Sequence, residues 1–412
     1  QFAPRTESKV FRAPSTSISS YNSPSLQNAI VRHCQPDAAL RCVTIVSPRR
    51  LCALGDSGTI LISEDQGETW KPAECQAYAN LRAVGFIDKN SGIAVGGSVG
   101  SYSGISRGVL LQTSDGGSTW RTIANDLPNL HGIAVLNSQL IAWGDFDPRR
   151  NTSVYRSTDL GATWQGLDTG LGAVTHATIM NDQFFFATND RNQAVVLDLI
   201  QNKKRTFQLP DSSGPLQLHF TGRQWLCLGS AGQLYSSPDA ENWTPVSLPL
   251  SASARSLCQW SVLHQQGDTI WVGGFPGSTI ARSGDRGLTW QLIKTDSGVP
   301  HHSFAFQDKL RGWACGPFGR ILQTQDGGLT WKRQHGASRA GMLAFQHQLA
   351  WPALVASVWE HRLPTVALLD EQSDGATPNA ASIQLDYANR IGIHTRSLQA
   401  KQTLPHWLVQ IA

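Results

Sequence analysis

Gly319-Arg320-Ile321-Leu322-Gln323-Thr324-Gln325-Asp326-Gly327-Gly328-Leu329-Thr330-Trp331 is the stretch that decides how this chain folds. Ile321 to Thr324 alternate as a half-buried strand does. Asp326-Gly327-Gly328 is turn chemistry: a short carboxylate that accepts local backbone N–H groups, then residues that tolerate positive φ. Thr330 and Trp331 return to β-favouring side chains. One such unit is an ordinary hairpin, but this one recurs. Ser63 to Trp70, Thr113 to Trp120, Ser157 to Trp164 and Ser283 to Trp290 repeat it, and Ser237 to Trp243 is a form one residue shorter. The shared pattern is [Ser/Thr]-x-Asp-x-Gly-x-Thr-Trp. Its Asp residues stand at 65, 115, 159, 239, 285 and 326, in steps of 50, 44, 80, 46 and 41. The long step is two periods with one decayed copy, in the region Asn189 to Phe207. Val195-Val196-Leu197-Asp198 reads there as the strand, and Thr206-Phe207 falls near the Thr-Trp position.

A period of about 40–50 residues with several short strands per unit is the signature of a β-propeller. Seven phases predict an all-β, seven-bladed propeller of four-stranded antiparallel blades. A solenoid of helix pairs needs 3.6-residue periodicity, and these units alternate instead.

The repeats are similar to Asp-box repeats, also called BNR repeats, which sialidases share with many non-enzymatic propellers. The segment before the last box, Gly312-Trp313-Ala314-Cys315-Gly316-Pro317-Phe318-Gly319-Arg320-Ile321-Leu322, resembles propellers of the photosystem II stability and assembly factor type. So does Gly92-Ile93-Ala94-Val95-Gly96 before the second box. The resemblance covers residues 40 to 335. It implies a protein partner, such as a membrane protein under assembly outside the cytoplasm.

Composition narrows the function classes. Charged residues make up only 16% and the net charge is +4, without the clustered basic stripe of a nucleic-acid binder. No run of 18 apolar residues is present, so no membrane span is expected. The chain starts at Gln1 rather than Met, which predicts either a processed, exported product (periplasmic, lumenal or extracellular) or a trimmed chain. Cys34, Cys42, Cys52 and Cys75 cluster early and could supply a disulfide, with the pairing open. Cys227, Cys258 and Cys315 sit in apolar strand patterns and read as small buried hydrophobes. With neither Cys-x-x-Cys nor His-x-x-x-His in the sequence, no metal and no cofactor are predicted.

Three segments follow from the patterning. Residues 1–38, rich in Ser and Pro, read as a flexible arm. Residues 39–337 carry the propeller. Residues 338–412 read as a β-α-β-α segment that weakly resembles the start of an N-acetylglucosaminyl de-N-acetylase domain. The His-Pro-Asp-Asp zinc motif of that family is replaced here by His347-Gln348-Leu349-Ala350, which lacks the Asp pair.

In a propeller blade, the loops joining strands two to three and the blade-to-blade loops share one face; the turn between strands three and four is on the other. The insertions carrying Tyr102, Arg107, Asp145, Asp147, Arg149, Arg150, Asp190, Arg191, Phe275 and Phe318 are therefore expected together around the axis, as a candidate binding ring. The box residues have a structural role instead. Asp65 and Trp70, Asp115 and Trp120, Asp159 and Trp164, Asp239 and Trp243, Asp285 and Trp290, and Asp326 and Trp331 repeat one arrangement six times, whereas catalysis needs one constellation. A sialidase-like hydrolase would need an Arg triad, an Asp acid/base and a late-blade Tyr nucleophile. Phe11-Arg12-Ala13-Pro14 lies in the Ser-rich arm, and the last two blades contain no Tyr. No catalytic residue is assigned. A non-enzymatic, protein-binding propeller is expected, with a glycan ligand or a sialidase-like hydrolase as the alternatives.

Overall fold

The computed structural model describes residues 38–336, apart from Gln76, Tyr78, Ser101, Tyr102, Ala124, Asn137, Asn181, Asp182, Asn202, residues 211–216, Ser230 and Asp296. The expected N-terminal arm and C-terminal α/β segment lie outside the described residues, as does Tyr102. Seven sheets follow one another along the chain, each built from consecutive antiparallel strands. Blades 1 to 7 span residues 40–72, 81–123, 130–167, 176–208, 218–245, 259–294 and 303–335. This is a seven-bladed β-propeller. Blade 2 carries a fifth strand, Glu74–Cys75, which joins Thr119–Ile123 in parallel.

Each blade buries side chains on both faces, and the core lies between blades. Leu40, Leu51 and Leu61 of blade 1 pack with Trp313, Cys315 and Ile321 of blade 7, with Trp70 against them. Trp120 packs into the blade 1–2 core and Trp331 into the blade 6–7 core. The box glycine is fixed by this packing. Gly328 has φ +84°, and a Cβ there would stand 2.3 Å from Trp271 Nε1 of blade 6. Gly67 meets Trp313 of blade 7 in the same way.

Because blades 1 and 7 each supply all four of their own strands, the ring closes through side contacts. Leu40 N donates to Gly316 O (3.1 Å) and Gly319 N to Ala38 O (2.8 Å). Gln323 Nε2 donates to Gln66 O (2.9 Å).

Blade 4 is the degenerate copy. Its third strand is Gln193–Asp198 and its fourth Lys203–Gln208. Asp198 pairs with Lys203, so a lysine stands where the other blades carry the box Trp. Phe207 is further along, opposite Ala194, rather than near the box position. The turn is shorter because Asp198 itself accepts the N–H groups of Ile200 and Gln201. The adjoining blade 4–5 core is thin among the described residues: Ala194, Leu209, Leu218 and Cys227 are its buried members.

Candidate functional site

The site begins with a backbone irregularity that repeats. The first strands of blades 1, 2 and 3 open with Leu40-Arg41, Leu81-Arg82 and Leu130-His131. In each, the pairing register slips at the second residue: between Leu40 and Cys42, Leu81 and Ala83, and Leu130 and Gly132. A bulge leaves its extra residue unpaired and re-aims the side chain. The buried Leu anchors the strand, and the following basic side chain is freed from the ladder. The start of a first strand lies beside the end of the second, as Leu40 pairs with Gly55, so these side chains share a face with the loops joining strands two and three.

Two of the three side chains find carboxylates there. Arg41 grips Asp56 through Nε (3.1 Å) and Nη2 (2.7 Å). His131 Nε2 lies 3.0 Å from Asp145 Oδ1, and its Nδ1 2.8 Å from Val174 O of the next blade connection. Asp145 Oδ2 also accepts from Ser106 Oγ at 2.6 Å, tying the blade 2 hairpin to blade 3. Burial alone would raise the Asp145 pKa, but the hydrogen bonds from His131 and Ser106 bring it below the ordinary value.

Arg82 sits between these pairs and belongs to neither. Among the described residues its guanidinium has no hydrogen bond or ion pair, and its Nε is buried without a partner. Burial, and then repulsion from Arg41, lower its pKa, while Asp56 and Asp145 act in the opposite direction. His302, at the entry to blade 7, is held through Nδ1 by Leu40 O (2.8 Å). Burial, then Arg41, push its pKa down to about 4. The face therefore presents a neutral imidazole, two compensated pairs and one guanidinium with free hydrogen-bonding capacity. A guanidinium in that state is a fork for a planar carboxylate.

The ring expected from the insertions divides into separate pieces. Asp145 joins the cluster just described. Asp147, 2% exposed, receives Arg149 through Nε and Nη2 and Arg150 through Nη1. Arg150 and Arg149 also reach Asp126, so both cations are committed to a local knot. Arg107, Asp190 and Arg191 are exposed. Phe275 is buried (7% exposed) and offers little surface, and Phe318 is half-buried with φ 59°. Arg41, Arg82 and His131 were missed by the insertion argument because they lie in strands, and His302 because it stands in the blade-to-blade connection just before Ser303–Phe306. The dipeptide of Leu and a basic residue opening three successive blades was the signal that could have found the first three.

The boxes occupy the opposite face and are chemically closed. Asp326 Oδ1 accepts from Thr324 Oγ1 (2.8 Å) and Thr330 N (2.9 Å), and its Oδ2 from Thr330 Oγ1 (2.6 Å). Gly328 N donates to Thr324 Oγ1, and Trp331 Nε1 to Gly328 O. The same set recurs around Asp65, Asp115, Asp159 and Asp285. In the short form, Asp239 accepts from Glu241 N, Asn242 N and Asn242 Nδ2. For Asp159 the hydroxyl and N–H of Thr163, with Ser157, lower the pKa to about 2. The cysteines Cys42, Cys52, Cys75, Cys227, Cys258 and Cys315 are free, so no disulfide joins the early ones among the described residues. Tyr155 is buried with its hydroxyl donating to Thr152 O, where it serves packing.

Comparison with known proteins follows the same lines. No family model matches the chain. It is 22% identical over 280 residues to the photosystem II assembly lipoprotein Ycf48 of Synechococcus sp. (strain CC9902), covering 64% of this chain and 78% of that protein. It is 25% identical over 294 residues to Ycf48 of Synechococcus sp. (strain JA-2-3B'a(2-13)), covering 68% and 83%. The chain is a propeller resembling the photosystem II assembly factors. A second similarity is to an oligoxyloglucan-reducing end-specific xyloglucanase of Emericella nidulans, 25% identical over 227 residues, covering 46% of this chain and 28% of that enzyme. Among solved structures, "YCF48 bound to D1 peptide" superposes with a TM-score of 0.56 at 20% identity, covering 71% of this chain and 95% of that one. YCF48 from Cyanidioschyzon merolae gives 0.55 at 16%, covering 71% and 98%.

Proposed function

We propose that this chain is a non-enzymatic docking propeller that holds an acidic segment of a protein partner on the face carrying the strand two-to-three loops. The observation that carries this reading is Arg82, a partly buried guanidinium without a partner among the described residues, flanked by pairs that are already satisfied. A bound carboxylate would complete its hydrogen bonding. The similarity to Ycf48, one structure of which is described as bound to D1 peptide, supports a peptide segment of a membrane protein under assembly as the occupant. Val99, Ile105 and Phe146 are exposed on the hairpins of blades 2 and 3 beside this cluster and offer apolar contact to such a segment. Export to a periplasmic, lumenal or extracellular space fits the relative named as a lipoprotein; among the described residues no helix is long and apolar enough to cross a membrane.

A glycoside hydrolase needs two carboxylates free to act as acid and as base or nucleophile. Asp56 is held by Arg41, and Asp145 by His131 and Ser106, which weighs against that alternative. Calorimetric titration with a D1 peptide tests the docking reading. Wild type binds it, Arg82→Gln weakens binding at least about tenfold, and an amide-for-carboxylate peptide loses the same amount. Equal binding by wild type and Arg82→Gln removes the reading.

A further inference from the structure

Blade 7 carries a second, largely buried arginine without a hydrogen-bond partner among the described residues. Arg320 ends the turn Gly316–Arg320 and is 7% exposed. Its Nε is buried without a hydrogen bond, and among the described residues no acceptor or carboxylate pairs with its guanidinium. Arg320 immediately precedes the strand Ile321–Thr324, whose Leu322 packs into the blade 6–7 core. Its charge acts on His301, which is bound to Gly277 O of blade 6, and Arg333 acts on it in turn, so it stands on the blade 6 side. Arg333 is the cross-strand partner of Leu322 and stands on that same side, exposed. Next to them, on the blade 6 side, His301 is 1% exposed and fixed by Nε2 to Gly277 O at 2.8 Å, and burial pushes its pKa down to about 4. That ring is neutral at pH 7 and supplies no counter-charge.

Burying a cation without an acceptor is costly, and a like charge nearby adds to the cost. Burial, and then Arg333, hold the Arg320 pKa below the ordinary arginine value, yet a guanidinium stays ionised in a protein. An anion is the missing component. We propose that Arg320, with the exposed Arg333 beside it, forms a carboxylate-binding site at the junction of blades 6 and 7, separate from the Arg82 cluster on blades 1 to 3. A carboxylate seated there would accept from the Arg320 fork and neutralise both cations. It could be a chain-end carboxylate or an acidic side chain.

Thermal unfolding of the full chain in an Arg82→Gln background, which removes the guanidinium proposed above to dock a carboxylate, tests this. The additives are N-acetylglycine (a chain-end carboxylate), N-acetylaspartyl amide (a side-chain carboxylate) and sodium chloride at matched ionic strength. The site predicts a saturable rise in Tm of about 2–4 °C with at least one carboxylate beyond the chloride effect, consistent with ligand linkage in a domain of this size. The more effective carboxylate identifies the source. Arg320→Met abolishes the rise and, without additive, melts at or above the parent. Arg320→Lys keeps the charge but not the fork, and responds more weakly. The proposal is overturned if both carboxylates match chloride, if Arg320→Met keeps the response, or if Arg320→Met melts lower while the parent is unresponsive.

Discussion

The two faces of this propeller are built from the same strands and treat charge in opposite ways. On the box face each box carboxylate is saturated by its own turn: Asp326 takes hydrogen bonds from Thr324, Leu329 and Thr330, all within four residues. On the other face charges come from different blades. Asp56 belongs to blade 1, Arg82 to blade 2 and Asp145 to blade 3, and one cation is left over. The box face is a local device repeated to hold hairpins and seat Trp side chains between blades. The other face depends on the ring having closed, and retains unspent hydrogen-bonding capacity. The comparison teaches that, on the proposed docking reading, stability and recognition fall on different faces, so each should be separately breakable.

Acidification should have the largest effect, and it acts on the scaffold. His176, His264 and His301 are held near pKa 4 by burial, below the ordinary 6.5. The unfolded chain therefore binds more protons between pH 6.5 and about 4, and stability falls as pH falls through that window. Asp65, Asp159 and Asp285 are lowered to about 2, so a second loss follows between about pH 4 and 2. Urea midpoints measured from pH 7 to 2 should decline throughout; no further decline below pH 4 would sink the account of the boxes.

Trp331→Ala comes next. Trp331 is 7% exposed in the blade 6–7 core, and its loss should cost about 3–5 kcal/mol in chemical unfolding. Phe207→Ala, in the thin blade 4–5 core, should cost less, about 1–3 kcal/mol. A reversed order would mean that the degenerate blade is not the weak one. Asp326→Ala removes an acceptor from several donors and should cost about 1–2 kcal/mol without changing peptide affinity. The smallest effect should be on the other face, where Arg82→Met leaves stability unchanged or raises it by up to about 1 kcal/mol, because no protein partner is lost. A clear loss of stability there would erase the contrast between the faces.

How much was legible in the sequence follows the same division. The boxes could be read directly because donor, acceptor and turn glycine lie within one short stretch, so the chemistry is in the order of the residues. The blade count followed even through the decayed copy, since Val195 to Asp198 kept its strand pattern. The register of that copy did not follow: Asp198 caps a tighter turn, which moves Lys203 into the Trp position and Phe207 further along the strand. The insertion loops were legible as stretches, but what their side chains contact was not. Arg149 and Arg150 look like free cations in the sequence and are both tied to Asp147 and Asp126. Arg82 looks like an ordinary strand residue, and only the bulge and the convergence of blades 1 and 3 make it unusual. Pairings between residues far apart in the chain leave no local signature.

The central claim, that recognition is confined to one face, is tested most directly by a hydrogen-exchange footprint of the protein with and without a bound acidic peptide. The account predicts protection at the first-strand starts around Arg41, Arg82 and His131 and in the blade 2 and 3 hairpins, with the box turns at 63–70 and 324–331 unchanged. Protection centred on the box turns, with none at Arg82, would contradict it.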